Sequence, residues 1–289
     1  MKPVREGSVL RRARPALGTL VEIACTAASE RAAGEALEAA FEAIESVQRL
    51  MSFHDPASDV SRLNEHARDR PVAVDARTWR VLEIALEIHR QSRGAFDIAI
   101  APHLVDAGLL PRRGDRRDSP GTSADIRLMT GHRVGFTRPL LIDLGGIAKG
   151  FAVDAALEAL EARGIRRAVV NAGGDLRVLG DRSETIHLRN PAAPRELIGA
   201  LALAQGAIAT TAAYFERAVI DAPRGRGYRG NRSASVIAPT ATIADALAKV
   251  VLLRGRRSAT LLKRYHAHAV LLASRGGPLE ATWLPEIPR

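Results

Sequence analysis

One cysteine, Cys25, stands among 289 residues, which excludes an internal disulfide. It lies in the apolar run Val21-Glu22-Ile23-Ala24-Cys25, where a buried, inert thiol is expected. Aromatics are also scarce, at 4% of the chain, so a core must be built from Ala, Leu, Val and Ile, and the 46% apolar content is ample for one. The eight histidines are scattered, and no Cys/His cluster has metal-ligand spacing. No Ser-His-Asp or Cys-His arrangement is set by spacing either. No run reaches transmembrane length, and the basic segment 1–14 lacks the apolar stretch of a signal peptide. The expectation is a cytoplasmic protein without membrane insertion. A formal charge of +10 is carried mostly by arginine. Without interleaved aromatics or a recognisable module, that charge does not point to nucleic acid.

Helices and strands mix without strict βαβ alternation, so the expected class is α+β, with mixed or antiparallel sheets packed against helices. Residues 18–24 read as an opening strand. Ser29 caps a helix to about residue 50, with Ala33, Leu37, Ala40, Phe41, Ile44 and Val47 on one face. Residues 58–67 form a short helix, and Asp75 caps another to about Ser92. Residues 139–144 read as a buried strand, 145–150 as a tight turn, and 151–163 as a helix ended by Gly164. Strands follow at 168–171, 175–179, 185–189, 198–203, 207–210, 233–237 and 267–273, with one late helix over 243–253. The whole chain is read as one unit, its tail 1–13 and the polar segment 112–123 mobile.

The chemistry concentrates in two glycine-rich corners. In Asp143-Leu144-Gly145-Gly146-Ile147-Ala148-Lys149-Gly150, glycines allow backbone N–H groups to approach an anion, a helix N-terminus follows, and Lys149 adds a charge. The order matches neither common nucleotide fingerprint, and a turn needed only for packing is an equal alternative. Asn171-Ala172-Gly173-Gly174-Asp175 repeats the logic, with a plain hairpin turn nearly as well supported. Asp245 opens the late helix as a cap or metal ligand, although an ordinary i,i+4 ion pair with Lys249 is the plainer account. Asp97 suits a ribityl or ribose hydroxyl, or a cap, and His54 and Asp55 sit in a turn.

Together these segments resemble the ApbE-like family of FAD:protein FMN transferases. Ala16-Leu17-Gly18-Thr19, Met51-Ser52-Phe53 with Ser61-Arg62-Leu63-Asn64, Gly94-Ala95-Phe96-Asp97, both glycine corners, Ala209-Thr210-Thr211 and Ala244-Asp245-Ala246-Leu247-Ala248 follow the family's motifs in order. The resemblance implies a T-fold-like architecture and a Mg²⁺-dependent reaction. FMN passes from FAD to a Ser or Thr hydroxyl of a target flavoprotein, releasing AMP. By position, Met51, Trp79, Ala95, Phe96, Asp97, Asp143, Lys149 and Thr210 would line the FAD site. Gly146, Asp245 and Ala248 would hold Mg²⁺, a hard cation suited to oxygen ligands, and Lys149 and Asp245 would be catalytic.

Two positions depart from the family pattern. Lys249 stands where the family has Thr or Ser four residues after the metal aspartate, and its ammonium would repel a divalent ion. The stretch Ala218-Val219-Ile220-Asp221 stands where the family has H-x-x-D, with Ala218 in place of a proton-accepting His. A flavin-binding protein without transfer activity, and an FAD hydrolase giving FMN and AMP, therefore remain alternatives.

Overall fold

The computed structural model describes residues 8–112, 121–212, 219–273 and 279–285. An N-terminal hairpin, β1 (Ser8–Ala16) and β2 (Thr19–Ala27), leads into α1 (Glu30–Met51) and α2 (Asp59–His66). Next come β3 (Val72–Ala73), α3 (Ala76–Gln91), α4 (Ala101–Asp106), β4 (Ile126–Met129) and β5 (Arg133–Phe136). The central part holds α5 (Ala148–Ala162), β6 (Arg167–Ala172), β7 (Asp175–Leu179), β8 (Glu184–Arg189), β9 (Leu197–Leu203) and β10 (Gly206–Ala212). The chain continues through β11 (Ile220–Asp221), β12 (Arg226–Gly227), β13 (Arg232–Ala238), α6 (Ala241–Arg254), α7 (Ala259–Arg264), β14 (His268–Ala273) and β15 (Glu280–Leu284). The α+β class is as expected, and every strand pairing is antiparallel.

The main sheet has eight strands in the order β1-β2-β6-β7-β10-β13-β14-β15. Its side chains alternate between two faces, and the packing separates along that alternation. Ala207 and Ala209 of β10 and Ala269 and Leu271 of β14 join the main core, where α1, α5 and α6 lie side by side across one face. Ile208 points the other way, to Val178 and Leu203, and Val270 and Leu272 meet Leu188. The two-stranded ribbon β8–β9 thus covers part of the opposite face. With both faces covered, β14 reads as an unbroken apolar run rather than an alternating one.

Local sequence explains most boundaries. The hydroxyl of Ser29 accepts from Ala32 N at 3.2 Å, and that of Ser58 from Ser61 N at 3.0 Å. The Asp75 carboxylate accepts from Arg77 N at 2.9 Å. Cys25 is buried, as expected, and burial pushes its thiol pKa up.

Several expectations need correction. The segment read as a mobile tail is strand from Ser8 onward, because β1 pairs with β2 along its whole length. Of segment 112–123, Gly121 is buried and Ser123 opens a 3₁₀ turn, while 113–120 lie outside the described residues. In residues 139–144, Leu140, Leu141, Ile142 and Leu144 are buried, but the segment forms no strand. The side-chain amide of Asn64 replaces a neighbouring strand there. Its Nδ2 donates to Ile142 O at 2.9 Å, and its Oδ1 accepts from Ile142 N at 2.7 Å. Helix α5 starts three residues earlier than expected, so Lys149 and Gly150 belong to its first turn. Asp245 lies inside α6, whose N-cap is Thr240, and so is not a cap.

Candidate functional site

The two glycine corners meet α6 at one place. The β6–β7 turn rests on the β1–β2 turn, where Gly173, at φ +63°, leaves so little room that a Cβ would lie 2.6 Å from Thr19 Oγ1. Gly150 brings α5 against the start of α6; a Cβ there would lie 2.2 Å from Ala241 O. The Gly150 N–H donates to Asp245 Oδ2 at 3.1 Å. Asp154, a turn further along α5, accepts from Ala241 N at 2.9 Å and Thr242 N at 2.8 Å, capping α6 with a buried carboxylate that also pairs with Arg177.

A cavity of about 1100 Å³ opens beside this junction. Its wall includes Gly145, Gly146, Lys149 and Lys249, the tip Gly173-Gly174, residues 95–98 and Asp143. The polar residues Thr210, Ser233 and Ser235 and the ribbon strand β8 close the other side. Thr210 Oγ1 and Ser235 Oγ are 2.8 Å apart. Four buried or nearly buried charges stand behind the wall in two pairs. Lys149 Nζ lies 3.3 Å from Asp175 Oδ2, and Lys249 Nζ contacts Asp245 Oδ1. Burial first, and then the charge of Asp245, raise the Asp175 pKa to about 7 against the pull of both lysines. Burial likewise raises Asp143, opposed by the Gly145 N–H and by His54.

Of the residues assigned by resemblance, Ala95, Phe96, Asp97, Asp143, Gly146, Lys149 and Thr210 all reach the cavity wall. Met51 and Trp79 are not part of it. Met51 is buried at the end of α1, and Trp79 packs against His132 with the rings tilted 47° and their centroids 5.5 Å apart. Asp97 is largely committed to structure, its Oδ1 accepting from Ser123 Oγ at 2.6 Å and Ala99 N at 2.8 Å, with His89 Nδ1 3.3 Å from Oδ2. Asp245 and Ala248 are buried in α6 behind Lys249. Ala218 lies outside the described residues, although Val219 and Ile220 line the cavity.

The expected cradle of backbone N–H groups is largely spent within the protein. Gly145 N donates to Asp143 Oδ2 at 3.0 Å, Ile147 N and Ala148 N donate to Leu144 O, and Gly174 N donates to Asn171 Oδ1 at 3.0 Å. Short polar side chains satisfy tight turns in this way, and amides so engaged offer little to a ligand. Lys149 and Lys249 supply the positive charge on this wall.

The donor set does not fit a divalent metal. Both Asp245 oxygens are engaged, one by the Gly150 N–H and one by the Lys249 ammonium. Among the described residues no group of three His, Cys, Asp or Glu side chains comes together to hold an ion. The sequence had suggested no role for Asp175, Ser233 or Ser235. The last two, alternating in an otherwise apolar strand, were the available signal.

Residues 17–272 match the ApbE family. The chain belongs to that family. It is similar to the solved ApbE protein of Thermotoga maritima, 27% identical with a TM-score of 0.84, over 95% of this chain and 97% of that one. The flavin transferase ApbE of Vibrio cholerae, 21% identical over 96% of this chain and 98% of that one at a TM-score of 0.82, shares the fold. A FAD:protein FMN transferase of Treponema pallidum is 29% identical over 91% of this chain and 83% of its own length. Some other matches reach less of the relative. They take in 44% of the Vibrio cholerae transferase and 55% of the Rhodobacter capsulatus one, so the chain spans about half the length of these curated relatives.

Proposed function

We propose that the protein transfers FMN from FAD to a Ser or Thr hydroxyl of a target flavoprotein and releases AMP. The observation that carries this reading is the pair Lys149 and Lys249 on one wall of a cavity of about 1100 Å³, where both glycine corners meet α6. The volume lies just above the about 300–1,000 Å³ usual for ligand sites and suits a dinucleotide. Relatives named FAD:protein FMN transferase give the same direction.

FAD's pyrophosphate carries two negative charges, and the two ammonium groups would face them. Asp175 and Asp245 hold those lysines in place, which makes both aspartates positioning residues. As the acceptor hydroxyl attacks the FMN-side phosphorus, a new P–O bond forms, the bond to the AMP oxygen breaks, and the hydroxyl proton is released to water. Charge on the departing AMP phosphate is stabilised by Lys149 and Lys249, whose positions are fixed before reaction. Ser233, Ser235 and Thr210 supply hydroxyls for the ribityl or ribose groups.

The test is incubation with FAD and a Ser/Thr-containing target peptide, read by mass spectrometry. A gain of one FMN on the peptide is expected. Free FMN and AMP with no labelled peptide would reassign the site to hydrolysis, and unchanged bound FAD would leave only a binding protein.

A further inference from the structure

We infer that Lys249 stands in place of a divalent cation, so that this protein holds its diphosphate ligand without metal. The inference takes its ligand from the flavin reading above, but its metal side stands independently of that reading.

Three observations meet on one side chain. Lys249 starts from α6 and reaches the cavity wall, with only 13% of its side chain exposed. Its stem passes the glycine turn closely: a Cβ on Gly146 would lie 3.8 Å from Lys249 Cε. Its ammonium ends on Asp245 Oδ1. Gly146 and Asp245 are the residues between which the resemblance places the ion, and the lysine fills that space with a single positive charge. The other Asp245 oxygen is held by Gly150 N at 3.1 Å. A metal would have to displace the ammonium, strip its own water and then stand beside the displaced charge. The covalently tethered cation costs no binding entropy and requires no free metal.

The consequence for charge is specific. Lys149 pairs with Asp175 and Lys249 with Asp245 behind the wall, and each pair presents its lysine to the cavity. A lysine there gives one charge and three rotatable N–H donors, where magnesium would give two charges and octahedral geometry. Replacing Lys249 by the smaller Thr removes the obstacle and frees an Asp245 oxygen.

The experiment pairs two titrations on the full chain. First, Mn²⁺ is titrated without flavin and followed by electron paramagnetic resonance. The wild type is expected to show no stoichiometric site, and Lys249→Thr to gain one. A single stoichiometric Mn²⁺ on the wild type overturns the inference whether or not FAD binds. Second, FAD binding is measured by calorimetry in EDTA and in Mg²⁺. Wild-type affinity is expected to be the same within about twofold, a difference below ~0.5 kcal/mol, and the Lys249→Thr affinity to drop in EDTA and recover with Mg²⁺. A wild-type gain of about tenfold or more on adding Mg²⁺, ~1.4 kcal/mol, also overturns it. If Lys249→Thr does not fold, both wild-type arms still decide. Failure of FAD to bind under either condition, with no Mn²⁺ site, removes the flavin reading and leaves the displacement of metal by Lys249 supported.

Discussion

Asp175 is fully enclosed beside a second carboxylate, and burial raises its pKa to about 7. In an unfolded chain an aspartate titrates near 3.9. The folded state therefore binds the proton more tightly, and the group contributes stability that is complete below the unfolded value and lost as pH rises towards 7. Asp175→Asn removes this dependence. Compared by urea denaturation, the variant should gain on the wild type steadily between pH 4 and pH 7 and hold a constant difference above pH 8. A difference flat across the whole range would mean that Lys149 fully compensates the carboxylate. The same pairing argues that the variant binds FAD differently, because Lys149 loses its anchor. At Gly150 the constraint is steric rather than electrostatic. A methyl group there would meet the Ala241 carbonyl at 2.2 Å, and backbone on both helices cannot yield as a side chain would. Gly150→Ala should cost about 3 kcal/mol, the upper end of overpacking penalties. A loss under about 1 kcal/mol by denaturant titration would show that α5 and α6 separate easily.

Helix α6 owes its position to a carboxylate on another helix. Asp154 takes two of the N–H donors at its start and the guanidinium of Arg177, at 2.9 Å. Asp154→Ala leaves those donors and a mostly buried arginine unmatched, for a loss of about 3 kcal/mol. Adding Arg177→Met should recover part of it; no recovery in the double variant would place the whole effect in the helix cap. Such pairings across elements mark the limit of what the sequence discloses. Periodicity and caps were local enough to read: α1 and α3 start after Ser29 and Asp75 as expected, and α2 lies within the short helix expected over 58–67. Residues 139–144 were not, because an apolar run cannot show whether a strand or the Asn64 amide satisfies its backbone. β1 was missed because arginines at 11, 12 and 14 obscured its alternation, and Arg12 and Arg14 instead meet Glu38 of α1. At the site, the glycine corners and Asp245 were legible as motifs. The i,i+4 ion pair of Asp245 with Lys249 is present as the spacing suggested, whereas the engagement of the corner amides by Asp143 and Asn171, two and three residues away, was local but went unread.

The cavity draws its wall from Leu17 near one end of the described chain to Leu272 near the other, and from both the glycine turns and the β8–β9 ribbon. A ligand long enough to touch all of these stabilises the folded molecule through mass action alone. FAD at one hundred times its dissociation constant should add about 2.7 kcal/mol, seen as a rise of roughly 5 °C in Tm. The size of the effect separates whole from part. AMP carries one phosphate for two lysines and lacks the flavin, while FMN lacks the adenosine, so each at the same concentration should stabilise less than FAD. Hydrogen exchange should slow on FAD binding both at residues 145–150 and in β8, two regions that line the cavity. Because Lys249 supplies charge from within, the FAD shift should be unaltered by EDTA. Protection confined to the glycine turn, with AMP as effective as FAD, would mean that only an adenylate is read and that the ribbon side of the cavity takes no part in recognition.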